Sequence, residues 1–159
     1  MKNVKSNEAV ADLNAKEREI EQLQVLLANY QLYYQNLRNF HWNVGGSNFF
    51  QLHDKFEELY NDASDKVDEI AERILTLDGH PLGNFSDYVA ISSIQEANSN
   101  CSGTEMVNQV IQSHNILIEK VKEVIVEANE NGDEGTLDIL PAYVSYFEKL
   151  NWMFKAYLR

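Results

Sequence analysis

The chain has 159 residues, a size typical of one domain with a buried core, and its 44% hydrophobic and 24% charged residues are ordinary for a soluble protein. Its formal net charge of −12 repels nucleic-acid phosphates and anionic membranes, so metal ions are better expected partners. The single cysteine, Cys101, excludes an intrachain disulfide, and neither a secretory signal nor a membrane-spanning apolar run is present. We therefore expect a cytoplasmic protein with no membrane partner.

Glycines punctuate the chain at four places, and the long stretches between them carry apolar residues three and four apart, the spacing of helices with one buried face. The first stretch predicts helix A, which ends near Asn43, just before the turn that contains Gly45 and Gly46. The buried stripe predicted for helix A consists of Ile20, Leu23, Leu27, Tyr30, Tyr34, Leu37 and His41.

After Ser47, a predicted N-cap, the same periodicity predicts helix B, of roughly 30 residues. The mixed segment from His80 to Asn100 predicts a short helix inside a long connection. Helices C and D are expected at about Thr104–Asn129 and Thr136–Leu158, with Pro141 bending the start of helix D. The predicted fold class is all-α, a four-helix bundle with a short extra helix in the long B–C connection.

A polar stripe on helix B carries the candidate chemistry. At 100° per residue, His53, Glu57, Asp68 and Glu72 lie at about 0°, 40°, 60° and 100°, on one side of a helix whose neighbouring positions are apolar. The rise of ~1.5 Å per residue nevertheless separates His53 from Asp68 by about 22 Å, so no single ion could bridge them within one straight helix. The four residues therefore form two half-sites.

His41 belongs to the half-site of His53 and Glu57, because the glycine turn folds helix A back beside the start of helix B. Imidazole and carboxylate together are a ligand mixture that suits Fe(II), Zn(II) and related divalent ions. This turn is thus expected to bring two imidazoles together at one end of the bundle.

A two-fold axis would join the half-sites. If two copies pack helix B against helix B antiparallel, residue pairs with a constant sum of residue numbers face each other. That sum is 125 both for His53 with Glu72 and for Glu57 with Asp68. The shared axis would pass near Asp62 and Ala63, where Ala63 and Ser64 are small enough to permit close approach. The spacing thus proposes two equivalent metal sites per dimer.

Each of these residues also has a structural interpretation. A histidine and a glutamate four residues apart often form only a surface pair, and Asp68 with Glu72 fits a solvated acidic face. Two further histidines, His80 and His114, are expected at the surface or in the core rather than as ligands. Four aromatic residues are expected in the core rather than in a redox relay: Tyr30, Tyr34, Phe40 and Trp42. Spacing alone favours these interpretations over metal binding.

The stretch NFHWNVGGSNFFQLHDKFEELYNDASDKVDEIAERILTLDGHPLG closely resembles the signature region of the Dps-type mini-ferritins, the starved-cell DNA-protection family. The segments GDEGTLDIL and EKLNWMFKAYL resemble the last loop and helix of that family, so the resemblance covers nearly the whole chain from about Glu19. It implies one ferritin-like domain over residues 1–159, with residues 1–15 as an N-terminal extension. It also implies a dodecamer around a cavity, with ferroxidase sites at two-fold interfaces.

Carried over residue by residue, the resemblance assigns His41, His53 and Glu57 to one subunit of each ferroxidase site, and Asp68 and Glu72 to its neighbour. Glu57 departs from the family, which usually has aspartate there. Fe(II) is the implied substrate, with Zn(II) as a further possible ion for the same ligands. The implied oxidant is hydrogen peroxide in preference to O2, and the implied product is a ferric mineral stored in the cavity.

Further residues take implied roles from the same resemblance. Trp42 resembles the aromatic residue of the family that donates an electron during peroxide chemistry. Asp133 and Asp138 match the acidic residues that line the three-fold pores admitting iron, and Glu134 is a further candidate. No histidine follows a glutamate by three residues, which argues against the intrasubunit di-iron centre of ordinary ferritins.

DNA binding is expected to be weak or absent, unlike in family members with lysine-rich tails. The N-terminal segment balances its charges, with Lys2, Lys5, Lys16 and Arg18 against Glu8, Asp12, Glu17 and Glu19. Two other classes of protein stay open at this point. One is a non-catalytic oligomer that scavenges zinc or iron with the same ligands, and the other is a structural helical dimer that uses the stripe only for salt bridges.

Overall fold

Five helices form the computed structural model, which describes the backbone of residues 2–159 and the side chains of residues 15–159. They are α1 (Lys2–Asn43), α2 (Phe49–Thr76), α3 (Phe85–Ile91), α4 (Gly103–Asn131) and α5 (Glu134–Tyr157). α1 packs against α2, α3 and α4, and α4 packs against α5. The predicted all-α bundle with a short helix in its long connection is therefore confirmed.

Residues 2–15 of the predicted N-terminal extension form the start of α1, and Met1 lies outside the described residues. Its four charged side chains, Lys2, Lys5, Glu8 and Asp12, lie outside the residues whose side chains are described, so the predicted charge balance stays a prediction there. Among the helices of residues 2–159, none combines the length and the apolar character needed to cross a membrane.

Local capping chemistry sets the helix boundaries. Ser102 begins α4 with a capping box, in which its hydroxyl accepts from the backbone N–H of Glu105 and the Glu105 carboxylate accepts from the backbone N–H of Ser102. Gly132 ends α4 with a φ of 66°, the left-handed conformation that glycine adopts without strain. The N-cap prediction for Ser47 is wrong, because Asn48 occupies that position and its side chain makes no capping hydrogen bond.

The core lies between the four long helices and is rich in aromatic side chains. Tyr30 and Phe40 are fully buried, as predicted, and Tyr34 is half-buried. The same prediction is wrong for Trp42, which is 58% exposed. Trp42 is the second-to-last residue of α1, and its ring packs on the guanidinium of Arg38, 4.9 Å from the ring centroid, rather than in the core.

Two asparagines of α1 hold the long connection between α2 and α4. The buried Asn29 side-chain oxygen accepts hydrogen bonds from the Ser92 hydroxyl and from the backbone N–H groups of Ser93 and Ile94. Asn36, two turns further along α1, donates to the backbone oxygen of Gln95 at 2.8 Å. These side chains bond to backbone groups in a part of the connection that has no regular secondary structure to satisfy them.

His114 is fully buried in the core. Of the two locations that the sequence left open, the surface and the core, the second is confirmed. Its Nδ1 is 2.8 Å from the Asn151 side-chain oxygen, and its Nε2 is 2.8 Å from the Tyr33 hydroxyl. Because an amide oxygen only accepts, Nδ1 carries the hydrogen and Nε2 accepts from Tyr33. Burial lowers the pKa of His114 from 6.5 to about 4, so the ring is neutral in the folded protein.

Acid should therefore destabilise the bundle through His114. Since its folded-state pKa of about 4 lies below the ordinary value of 6.5, the neutral ring stabilises the fold fully above pH 6.5, and this contribution is lost as the pH falls toward 4. The loss amounts to about 3 kcal/mol in the free energy of unfolding. Replacing His114 with Gln should lower stability at pH 7 and flatten this pH dependence, measured by urea unfolding at fixed protein concentration.

The exposed His80 provides the control for that measurement. His80→Gln should keep the slope of the parent protein between pH 6.5 and pH 4. An unchanged slope in His114→Gln would contradict the assignment of the pH dependence to the buried ring.

Candidate metal centre

The turn between α1 and α2 creates the site by folding the two helices side by side. The Val44 N–H donates to the backbone oxygen of Phe40 at 2.8 Å, which closes the last turn of α1. Gly46 then adopts a φ of 95°, in the region that other residues rarely enter. With only a few residues between the helices, His41 near the end of α1 comes to lie beside His53 in the second turn of α2.

His41 and His53 hold each other through reciprocal hydrogen bonds. Nδ1 of His41 lies 2.9 Å from the backbone oxygen of His53, and Nδ1 of His53 lies 2.9 Å from the backbone oxygen of His41. A carbonyl oxygen can only accept, so both rings carry their hydrogen on Nδ1. In this tautomer of the neutral ring the lone pair lies on Nε2, and this is the form of imidazole that binds a metal.

Aromatic stacking fixes the orientation of both rings. The two imidazoles stack with their centroids 3.8 Å apart. Phe49 stacks on the outer side of His53 at 5.0 Å, and Tyr60 meets His41 edge-on at 5.3 Å. Phe49 and Tyr60 were not predicted as site residues, although each lies within seven positions of His53 on α2.

Glu57 completes the cluster. One ligand atom each of His41, His53 and Glu57 lies within 4.8 Å of the other two, a grouping that could hold a metal ion. The imidazoles are half-buried and the carboxylate is exposed, so the cluster opens to one side. Burial, followed by the Glu57 charge, raises the pKa of the Tyr60 phenol, which stays protonated beside that carboxylate. The structure thus brings together three of the five predicted ligands.

Asp68 and Glu72 do not join this cluster within the subunit. Both are exposed and lie further along the same side of α2 as Glu57. Because α2 is one continuous helix, its rise of ~1.5 Å per residue separates His53 from Asp68 by about 22 Å, as predicted. The prediction that Ala63 lies at a contact with a second copy is wrong, because Ala63 is 0% exposed and packs in the core of its own subunit. Ser64, the other small residue predicted at this contact, is exposed, and it lies with the exposed Asn61 at the centre of this side of α2.

Trp42 is near this cluster but not part of it. The Arg38 guanidinium carbon lies 5.3 Å from the Tyr34 ring centroid as well as 4.9 Å from that of Trp42, so it bridges the two rings. Tyr34 in turn meets Tyr60 edge-on at 6.1 Å. A chain of aromatic and guanidinium contacts therefore leads from Trp42 toward the half-buried Tyr60. The electron-donor role of Trp42 stays a prediction.

Of the three predicted pore residues, Asp133 faces the protein and the other two face solvent. Asp133 is the N-cap of α5, and its two carboxylate oxygens lie 2.5 Å and 2.6 Å from one guanidinium nitrogen of Arg73. Burial alone would raise the pKa of Asp133, but the hydrogen bond from Arg73 and its other donors hold it well below its usual range. Glu134 and Asp138 are exposed.

Glu19 of α1 lies against the same capping residue and was not predicted as special. It is only 1% exposed, and Asn131 donates to its Oε2 at 2.7 Å. Burial and the neighbouring Asp133 raise the pKa of its carboxyl group, while its Oε1 has no hydrogen-bond partner among the described side chains. Sequence could not reveal this, because Glu19 and Asp133 are far apart along the chain.

Comparisons with known proteins agree with this geometry. Residues 20–159 match the ferritin-like domain family. General stress protein 20U of Bacillus subtilis is 40% identical over 142 residues, which cover 89% of this chain and 98% of that protein. A DNA protection during starvation protein of Porphyromonas gingivalis is 40% identical over 138 residues, 87% of each chain.

Solved structures give the same result for the fold. A Dps protein of Vibrio cholerae, described as a member of a broad superfamily of ferritin-like diiron-carboxylate proteins, superposes with a TM-score of 0.89 at 40% identity and 92% coverage of both chains. A Dps protein of Bacillus brevis gives a TM-score of 0.89 at 39% identity, covering 92% of this chain and 98% of that one. With its family model matched over residues 20–159 and its histidine pair at the α1–α2 turn, the chain belongs to the Dps-type mini-ferritins of the ferritin-like superfamily.

Proposed function

We propose that this protein oxidises Fe(II), preferably with hydrogen peroxide, and stores the ferric product inside a dodecameric shell, which protects its cell against oxidative damage. The observation that carries this proposal is the convergence of His41, His53 and Glu57, with both Nε2 lone pairs free. The cytoplasm is the proposed location, because the single cysteine, Cys101, fits a reducing compartment.

The donor set suits a ferroxidase because its two kinds of ligand favour different oxidation states. Neutral imidazole binds Fe(II) with moderate affinity, and carboxylate oxygens stabilise the Fe(III) product. Each peroxide molecule accepts two electrons, one from each of two ferrous ions, and forms two hydroxide ions. Oxidation therefore consumes iron and peroxide together, which are the ingredients of hydroxyl radical.

A second subunit supplies the remaining ligands in this proposal. Antiparallel packing of α2 on α2 about a two-fold axis would place Glu72 beside His53 and Asp68 beside Glu57. Support comes from the exposure of these two acids and from the open side of the histidine cluster. Each dimer would hold two equivalent sites, built from five residues of two chains.

Iron would reach the cavity through pores at three-fold axes, near the start of α5. Glu134 and Asp138 are exposed and are the better candidates to line such a pore. Asp133 would contribute less, because Arg73 and the backbone of α5 already bind its carboxylate.

The histidine pair is open to a direct test. His41→Ala/His53→Ala should lower the initial rate of Fe(II) oxidation with peroxide at least about 100-fold, since loss of ligands costs more than loss of their supporting hydrogen bonds. The assay follows ferric absorbance with peroxide and, separately, with O2. The matched control is His80→Ala, which removes an exposed histidine outside the site and should keep the parent rate. Parent protein that binds Fe(II) without turnover would contradict the ferroxidase assignment.

Subunit mixing tests whether each site is shared. A variant without the histidine pair and an Asp68→Ala/Glu72→Ala variant should each be inactive, whereas their co-assembly should restore about a quarter of the parent activity. Random pairing makes half of the dimers mixed, and each mixed dimer holds one intact site out of two. Co-assembly of His41→Ala with His53→Ala should restore nothing. No recovery in the first mixture would place all ligands of a site within one subunit.

DNA binding is proposed to be weak or absent. Twelve copies with −12 each would carry a formal charge of about −144, which repels duplex DNA at physiological salt. The basic residues with described side chains near the N-terminus are also engaged, because Lys16 pairs with Asp78 and Arg18 with Glu127. A gel-shift titration in low salt should therefore show free DNA at micromolar protein, and a tight complex would overturn this proposal.

Zinc scavenging without turnover is the second candidate function. Two imidazoles and one carboxylate are a ligand set that zinc also takes, with one coordination position left open. Among similar solved proteins, a Dps of Listeria innocua was examined after soaking with zinc. The ferroxidase assay separates the two candidates, because a scavenger would bind Fe(II) or Zn(II) through His41 and His53 without oxidising the iron.

A further inference from the structure

The exposed side of α2 has a pattern that reads the same in both directions. Its positions follow spacings of 3, 4, 4, 3, 4, 4 and 3 residues, an 11-residue repeat that keeps a nearly straight line along a helix. The residues are Phe50, His53, Glu57, Asn61, Ser64, Asp68, Glu72 and Leu75. A symmetric pattern of this kind is what antiparallel self-pairing of one helix requires.

The two ends of this pattern are apolar. Phe50 is 77% exposed and Leu75 is 53% exposed, and these are the two large apolar side chains of α2 that face solvent in the subunit. Their residue numbers sum to 125, the same as for His53 with Glu72 and for Glu57 with Asp68. The pair Asn61 and Ser64, at the centre, also has this sum. One axis therefore accounts for both the proposed ligand pairs and the exposed apolar residues.

We propose that Phe50 of one protomer packs on Leu75 of a second copy, forming an apolar clasp outside each proposed metal site. This inference rests on the proposed function, because the two-fold axis that pairs the ligands also pairs the clasp residues. The occupant of this surface is a second copy of the chain. One subunit brings together only three of the five proposed ligands, and the same side of α2 exposes Asp68 and Glu72, which could bind a metal at the histidine cluster of that copy.

Repulsion between carboxylates explains why an apolar contact is needed at this interface. Pairing α2 with α2 brings Glu57 of one copy to Asp68 of the other, and Glu72 close to both, so carboxylates of like charge converge when no cation is bound. Their repulsion opposes assembly before iron arrives. Burial of Phe50 and Leu75 at each end is independent of charge and would hold the register of the helices in the metal-free protein.

Site-directed cross-linking in metal-free protein tests the clasp. Phe50→Cys/Leu75→Cys in a Cys101→Ser background is treated with a short bis-maleimide and run on a denaturing gel. The expected product is a covalent dimer, formed at least about tenfold faster than in either single-cysteine variant, because each single cysteine lies far from its own symmetry mate. Phe50→Cys/Thr76→Cys is the out-of-register control, since Thr76 is also exposed but turned about 100° away around α2.

The second measurement is the size of a Leu75→Glu variant by analytical ultracentrifugation. We expect metal-free Leu75→Glu to dissociate at protein concentrations where the parent stays assembled, while added divalent cation restores part of the assembly. Equal cross-linking in the single-cysteine or out-of-register variants would overturn the clasp. If cross-linking fails but subunit mixing still restores ferroxidase activity, the clasp is wrong and the shared site stands. If both fail, the proposed two-fold pairing itself is wrong.

Discussion

The site depends on one reciprocal contact, in which each of two imidazoles donates to the backbone oxygen beside the other. His41 and His53 thereby fix the distance between the end of α1 and the start of α2 and determine which ring nitrogen is free for a metal. Two otherwise flexible side chains become part of the helix–helix contact. The two histidines proposed as metal ligands are therefore arranged by folding alone.

The acids at the other end of α2 have no such arrangement within the subunit. Asp68 and Glu72 are exposed, and nothing described in the subunit neutralises them. A protein with a formal charge of −12 gains nothing in stability from further carboxylates on one helix face, because like charges repel. Binding a cation between subunits gives these residues a purpose that the isolated fold does not, which is why the shared site is the more economical explanation of the stripe.

Sequence predicted the parts of this protein that depend on local pattern. The helix periodicity, the glycine turn and the approach of His41 to His53 all follow from residues close together in the chain. The prediction for Ala63 was wrong because a sum of residue numbers gives the height of an axis along α2 but not which residues at that height face outward. Trp42 was misplaced because hydrophobicity alone does not show that a residue near a helix end lies at the surface, over Arg38.

Contacts between distant residues could not be predicted in this way. Arg73 and Asp133 are 60 positions apart, and only the packing of α2 beside the start of α5 joins them. Their pairing explains Gly135 as well, since a Cβ there would lie 2.7 Å from a guanidinium nitrogen of Arg73. Sequence similarity to pore residues could not separate this cap from the exposed acids that follow it.

The Arg73 contact also bears on the ligands of α2. Arg73 follows Glu72 directly, and neighbouring residues on a helix point about 100° apart. Because Arg73 is anchored inward on the Asp133 cap and Thr136, the rotation of this part of α2 is fixed, and Glu72 is directed away from the subunit. The partly buried ion pair between Arg73 and Asp133 thus positions Glu72, an acid that has no partner among the described side chains of its own subunit. Substitution of Arg73 would release both the start of α5 and the orientation of Glu72, although Arg73 is not one of the five proposed ligands.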